Sequence, residues 1–171
     1  MFDLHELIFR TRALGQSHPF TPRGYRYLNA RVAQERKTQP AEELGIWAGN
    51  ALTVGYCLRC VEEQDVGRII DTPPEPLPAD FDAAASHIAQ LIRTDGAEPY
   101  LLYPEEHVVA ALDHLIMGEL ERRLGGLDAA VEGRAGESSA DITEYLAWWV
   151  IKGYALRVAD HLVPEPAPQA K

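Results

Sequence analysis

Cys57-Leu58-Arg59-Cys60 is the spacing in this 171-residue chain that most invites chemistry. Three positions apart on a helix, two thiols share a face, where they can cycle between dithiol and disulfide or supply half of a tetrahedral zinc site. Low-pKa thiols favour a helix N-terminus, however, and this pair falls several turns inside a helical pattern that begins near Pro40. The stretch around it, GYCLRCVEE (Gly55 to Glu63), has a near-twin, GYALRVADH (Gly153 to His161), 98 positions on. In that alignment Cys57 matches Ala155 and Cys60 matches Val158, which are small and apolar. A free cysteine often behaves as a small buried hydrophobe, and packing is the reading we adopt for both.

Helical redox proteins of the alkylhydroperoxidase-D-like family place a His shortly after the second Cys. Here Val61, Glu62, Glu63 and Gln64 follow, so that resemblance fails and a thiol-dependent redox role for Cys57 and Cys60 is the alternative, not the conclusion. Arg59 and Arg157 also recur in the two copies, each with an acid three residues on (Glu62, Asp160). The plain expectation is a helix-surface ion pair worth a few tenths of a kcal/mol. A sharper one is that the two arginines flank the glycine crossing, where they form an anion pocket or reach acids on neighbouring helices. A small-ligand pocket between the two helices would have Arg59 or Arg157 holding an anion and Trp47, Tyr56, Trp148 and Tyr154 as walls. Lys152, in the most apolar stretch, reads as a snorkelling side chain. His107 and His114 are seven apart, about 10 Å along a helix, too far to share one metal. No metal site, cofactor motif or nucleophile–base set is legible, which points away from an enzyme.

The elements that must position these residues are helices. Asp3–Leu14 forms a first helix closed by Gly15; Thr21 and Pro22 open a second; Pro40 opens a third. Leu44, Trp47, Ala48, Ala51, Gly55, Leu58 and Glu62 then keep i, i+3, i+4, i+7 spacing. Residues 67–78, with prolines at 73, 74, 76 and 78, form an extended connector. Asp82–Arg93 and the stretch from Pro104 to Gly125 give a fourth and fifth helix, and Asp141–Val163 a sixth. A loop lies near 125–139 and a frayed tail at 164–171. The segment PYLLY, Pro99 to Tyr103, is too short to found a sheet.

The fold expected is therefore all-α, a six-helix bundle in one domain over residues 1–163. Weaker echoes (Leu7–Thr11 with Gln90–Thr94, Glu35–Lys37 with Glu121–Arg123) suggest two pseudo-repeated three-helix halves, 1–66 and 79–163. A glycine inside a helix costs roughly 1 kcal/mol relative to alanine, so Gly55 and Gly153 at matched places call for a reason. Close approach of another helix backbone is that reason.

Composition narrows the function. Residues 1–37 carry seven Arg or Lys against three acids, while the whole chain is at −10, so the remainder holds −14. Arg23, Arg26 and Arg31 interleave with Tyr25 and Tyr27, yet the acidic remainder argues against nucleic acid as a partner. The longest strongly apolar run, Tyr145–Ile151, falls far short of the ~20 residues a membrane span needs. Two cysteines and no signal-like N-terminus point to the cytoplasm. The expectation is a non-enzymatic helical protein acting through a protein partner or its own dimer.

Overall fold

The computed structural model describes residues 2–17, 19–38, 42–124 and 139–165, which form six α-helices and no strand. They are α1 (Leu4–Gly15), α2 (Pro22–Thr38), α3 (Glu42–Val66), α4 (Phe81–Arg93), α5 (Glu105–Leu124) and α6 (Ser139–Leu162). The PYLLY segment contributes to a single 3-10 turn at Glu98–Tyr100. The loop read at 125–139 lies outside the described residues except for its last position, as do residues 166–171 of the tail.

The starts follow capping chemistry. Asp3 accepts from the Glu6 amide at 3.1 Å, Thr21 from the Gly24 amide at 3.1 Å, and Asp80 from the Ala83 amide at 2.9 Å. Each such cap is worth about 1 kcal/mol. Asp80 is the cap of α4, so the helix begins ahead of the Asp82 start read from sequence; Asp82 sits in the first turn and pairs with Arg31 at 3.2 Å. The connector holds no helix and is tied down through Glu75. That carboxylate accepts from Tyr100 at 3.0 Å and lies 2.9 Å from His87 Nε2, joining the connector to α4 and the 3-10 turn.

α3 and α6 form the central pair, and the other helices pack around them. Where they cross, Gly55 faces the Val150 carbonyl and Gly153 faces the Leu52 carbonyl. An added Cβ at Gly55 would overlap that carbonyl oxygen and stand 2.8 Å from its carbon; at Gly153 the matching carbon distance is 2.7 Å. The contact is reciprocal, since Leu52 and Val150 are themselves 98 positions apart. Around the crossing, Ala48, Ala51, Leu52, Leu146, Val150, Ala155 and Ala159 are fully buried. Small residues thus let two backbones touch, and larger ones close the interior on both sides.

Gly55→Ala should cost about 3 kcal/mol or more, at or beyond the upper end for overpacking, because rigid backbone must yield. The same holds for Gly153→Ala. The double substitution should cost clearly less than the sum, because one displacement of the crossing relieves both intrusions. Urea denaturation midpoints of the three variants check this.

Candidate functional site

The residues singled out by the duplicated phrase do come together, but as interior and not as a pocket wall. Tyr154 Oη accepts from Arg59 Nη1 at 3.0 Å and donates to Glu62 Oε1 at 2.5 Å. Across the crossing, Tyr56 Oη accepts from Arg157 Nη1 at 3.1 Å and donates to Asp160 Oδ2 at 2.9 Å. Each tyrosine therefore leaves its own helix and lies between an arginine and an acid of the other. Glu62 and Asp160 are again 98 apart, so the two arginine–tyrosine–acid sets match residue for residue. The expected exposed pair Arg59–Glu62 is corrected: Arg59 is 1% and Glu62 0% exposed.

The two sets differ in what surrounds them. Glu63 accepts from Arg157 Nε at 3.0 Å and stands 3.7 Å from Arg59 Nε, an ion-pair distance too long for a hydrogen bond. Its matched position is His161, whose Nε2 lies 2.9 Å from Glu63 Oε2 without hydrogen-bond alignment. Asp160 instead reaches α2: it accepts from Thr21 Oγ1 at 2.8 Å and from Arg23 Nε at 3.2 Å. Arg23 Nη2 also donates to the carbonyls of Asp160 (3.0 Å) and Val163 (2.8 Å), capping the end of α6. Three arginines and three acids thus meet, with Arg23, Arg59, Glu62 and Glu63 buried and Arg157 and Asp160 half-buried. Buried charge is expensive unless it is paired and hydrogen-bonded. The arrangement meets this in part, with Arg59 Nε, Glu62 Oε2 and Glu63 Oε2 buried without a hydrogen bond. Burial pushes the Glu62 carboxyl up to about 7, against the opposing hydrogen bond from Tyr154 and the charge of Arg59.

Cys57 and Cys60 lie on the buried side of α3, at 0% and 5% exposure, as free thiols. Burial, above all, pushes each thiol up to about 12, with the neighbouring Cys60 adding to the effect at Cys57. A thiol held so high is not a nucleophile at neutral pH. Among the described residues no group of three or more His, Cys, Asp or Glu is placed to hold a metal ion. No helix among them is long and apolar enough to cross a membrane.

The two tryptophans named as pocket walls stand apart from the arginine–tyrosine sets. Trp47 is partly buried on α3, and Trp148 lines a shallow hollow with Arg93, Glu144 and Tyr145. Trp149 is buried, and the Lys152 ammonium lies over the Trp148 and Trp149 rings at 5.1 and 4.6 Å, with Arg93 over Trp148 at 5.0 Å.

The open concave surface lies on the other side of α3. One groove, about 670 Å³, runs between α2 (Tyr25, Leu28, Asn29, Val32, Arg36) and α3 (Ile46, Gly49, Asn50, Thr53). Tyr25 and Ile46 at its edges are 50% and 45% exposed. A second cleft, about 780 Å³, lies between α1, α3 and α5 and shares Asn50 and Thr53 with the first. Sequence reasoning passed over both, although a signal was present. The α3 stripe Gly49, Asn50, Thr53 is small and polar where the matching α6 stripe reads Ala147, Trp148, Ile151.

Comparison of the chain with protein-family models, with curated proteins and with solved structures finds no match.

Two measurements probe this interior. Glu62 holds its proton in the folded protein between about pH 4.5 and 7, where the unfolded chain has released it. Stability should therefore fall as pH rises through that window, and the advantage of Glu62→Gln over the parent should grow by at most about 1.4 kcal/mol per pH unit. Denaturation at pH 5 and pH 8 reads the difference; a gap independent of pH would refute it. Native thiols should resist a disulfide-exchange reagent at pH 8 for as long as the chain is folded, and react at once in 6 M guanidinium.

Proposed function

We propose that this protein is a non-enzymatic interaction module, and that it docks a short amphipathic helix of another protein in the α2–α3 groove. The observation that carries the reading is the difference between the two matched stripes. On α6 a tryptophan fills the place that Asn50 leaves open on α3, and the open side is edged by exposed Tyr25 and Ile46. On α2 the lining positions 25, 28, 29, 32 and 36 keep the spacing of one helix face, and on α3 positions 46, 49, 50 and 53 do likewise. Between Tyr25 and Arg36 the groove runs about 16 Å, room for three turns of a third helix.

Charge selects the partner. α2 carries Arg23, Arg26, Arg31, Arg36 and Lys37 against the single acid Glu35. Arg23 and Arg31 are paired with Asp160 and Asp82, and the exposed Arg26, Arg36 and Lys37 keep the helix surface basic. A twofold dimer through this groove would set each basic helix against its own copy, because such an interface is self-complementary. An acidic flank on a different protein meets no such repulsion. Two buried free thiols suit a reducing compartment, and we assign the protein to the cytoplasm on that ground. The reciprocal contacts at an offset of 98 support reading residues 1–66 and 79–163 as two pseudo-equivalent halves.

Sedimentation equilibrium separates the occupants, and a monomer is the expected result. A partner captured by a photo-crosslinking residue at position 25 should bind the purified chain, and Ile46→Asp should weaken it about tenfold or more. Val109→Asp, at an exposed apolar position of α5, should leave it unchanged. Binding that ignores Ile46→Asp, or a stable dimer broken by it, overturns the reading.

A further inference from the structure

The cleft between α1, α3 and α5 carries a different chemistry from the groove beside it. Its apolar walls are Ile8, Phe9, Ala13 and Val54, and its polar side chains include His5, Arg12 and His114. At about 780 Å³ it falls within the size range of small-molecule sites. His5 and His114 meet edge to face, with ring centroids 6.2 Å apart, so two helices bring their imidazoles to one place.

Arg12 is the unusual member. Of the five other arginines of the basic segment, Arg10 pairs with Asp65, Arg23 with Asp160 and Arg31 with Asp82, and Arg36 is engaged. Arg26, which likewise makes no hydrogen bond or ion pair with a described residue, is exposed on α2 and lies outside the cleft. Arg12, although partly buried, makes no hydrogen bond or ion pair with any described residue. Its guanidinium rests in a notch made by Gly118 in the middle of α5, and an added Cβ there would collide with Nη2. A helix-interior glycine costs roughly 1 kcal/mol, so the notch is a feature that stability alone would remove. A seat that holds an unpaired planar fork at the wall of a cavity suits an incoming carboxylate or phosphate, which such a fork grips by two hydrogen bonds. Glu119 also lines the cleft; it is 3% exposed and engaged, and its Oε2 is buried without a hydrogen bond, so one acid stands in the same wall as Arg12.

We infer that the α1–α3–α5 cleft binds a small organic anion, its carboxylate or phosphate head on Arg12 beside the His5–His114 pair and its apolar body against Ile8, Phe9 and Val54. The inference does not need the partner-binding groove.

Titration calorimetry of the full chain with octanoate and with phenyl phosphate tests it, with inorganic phosphate and benzyl alcohol as head-only and body-only controls. Saturable one-to-one binding of at least one of the two amphiphilic anions is expected, at least ten times tighter than either control. Arg12→Gln should weaken it at least tenfold, and Ala13→Trp, which fills the cleft from the α1 side, should abolish it. Arg26→Gln and Ile46→Asp should leave it unchanged. Far-UV circular dichroism and the urea midpoint establish that each variant is folded; if Arg12→Gln is not, Ala13→Trp decides. No saturable binding of either amphiphile, or equal weakening by Arg26→Gln, overturns the inference. Because Ile46→Asp is silent here and Arg12→Gln lies outside the α2–α3 groove, failure of one site does not carry the other with it.

Discussion

Backbone contact between α3 and α6 is the constraint on which the rest depends. It requires that neither Gly55 nor Gly153 carry a side chain, and it sets the two helices close enough for each tyrosine to reach across. A hydroxyl on a rigid ring has a short reach. Were the helices one side chain further apart, Tyr56 and Tyr154 would no longer lie between the opposing arginines and acids, and the buried Arg59 and Glu62 would lose the hydroxyl that joins them. The close approach and the charged core are therefore one device: the first makes the second tolerable.

The charged core in turn explains how the outer helices find their places. Asp160 accepts from Tyr56 on α3 and from Thr21 and Arg23 at the start of α2, so a single carboxylate joins three helices. Arg23 closes the end of α6 with hydrogen bonds to two carbonyls, satisfying groups that a helix terminus otherwise leaves open. Part of the basic character of the first 37 residues is consequently spent inside the molecule. Arg10 and Arg31 spend more of it on Asp65 and Asp82. What remains for outside partners is narrower than the raw charge asymmetry suggests.

Much of the fold was legible because helical period, proline and capping residues are local signals. The all-helical class, the extended connector and the places of the six helices follow from them, with starts displaced by a residue or two. Gly55 and Gly153 were legible for a different reason: a costly residue at matched positions demands an explanation, and close packing is the commonest. Arg59 and Glu62 were misjudged as surface groups because sequence shows their spacing along one helix and not the tyrosine that enters from another. The cleft beside α1 was invisible for the same reason. Arg12 and Gly118 are 106 positions apart and acquire meaning only as neighbours. The α2–α3 groove has a readable clue in the small residues Gly49, Asn50 and Thr53, but its opposite wall is α2, and which helix faces that stripe is not a local signal.

The central pair also bears on how the chain reaches this state. α3 and α6 are joined by residues nearly a hundred positions apart, while most helical bundles build their first contacts from neighbours in sequence. Closing so long a loop must precede the reward of the crossing, and α3 until then has a notched apolar face with nothing to fit it. This topology implies slower assembly than helix content alone would suggest, with an interval in which the half-built molecule exposes the surface it will finally bury.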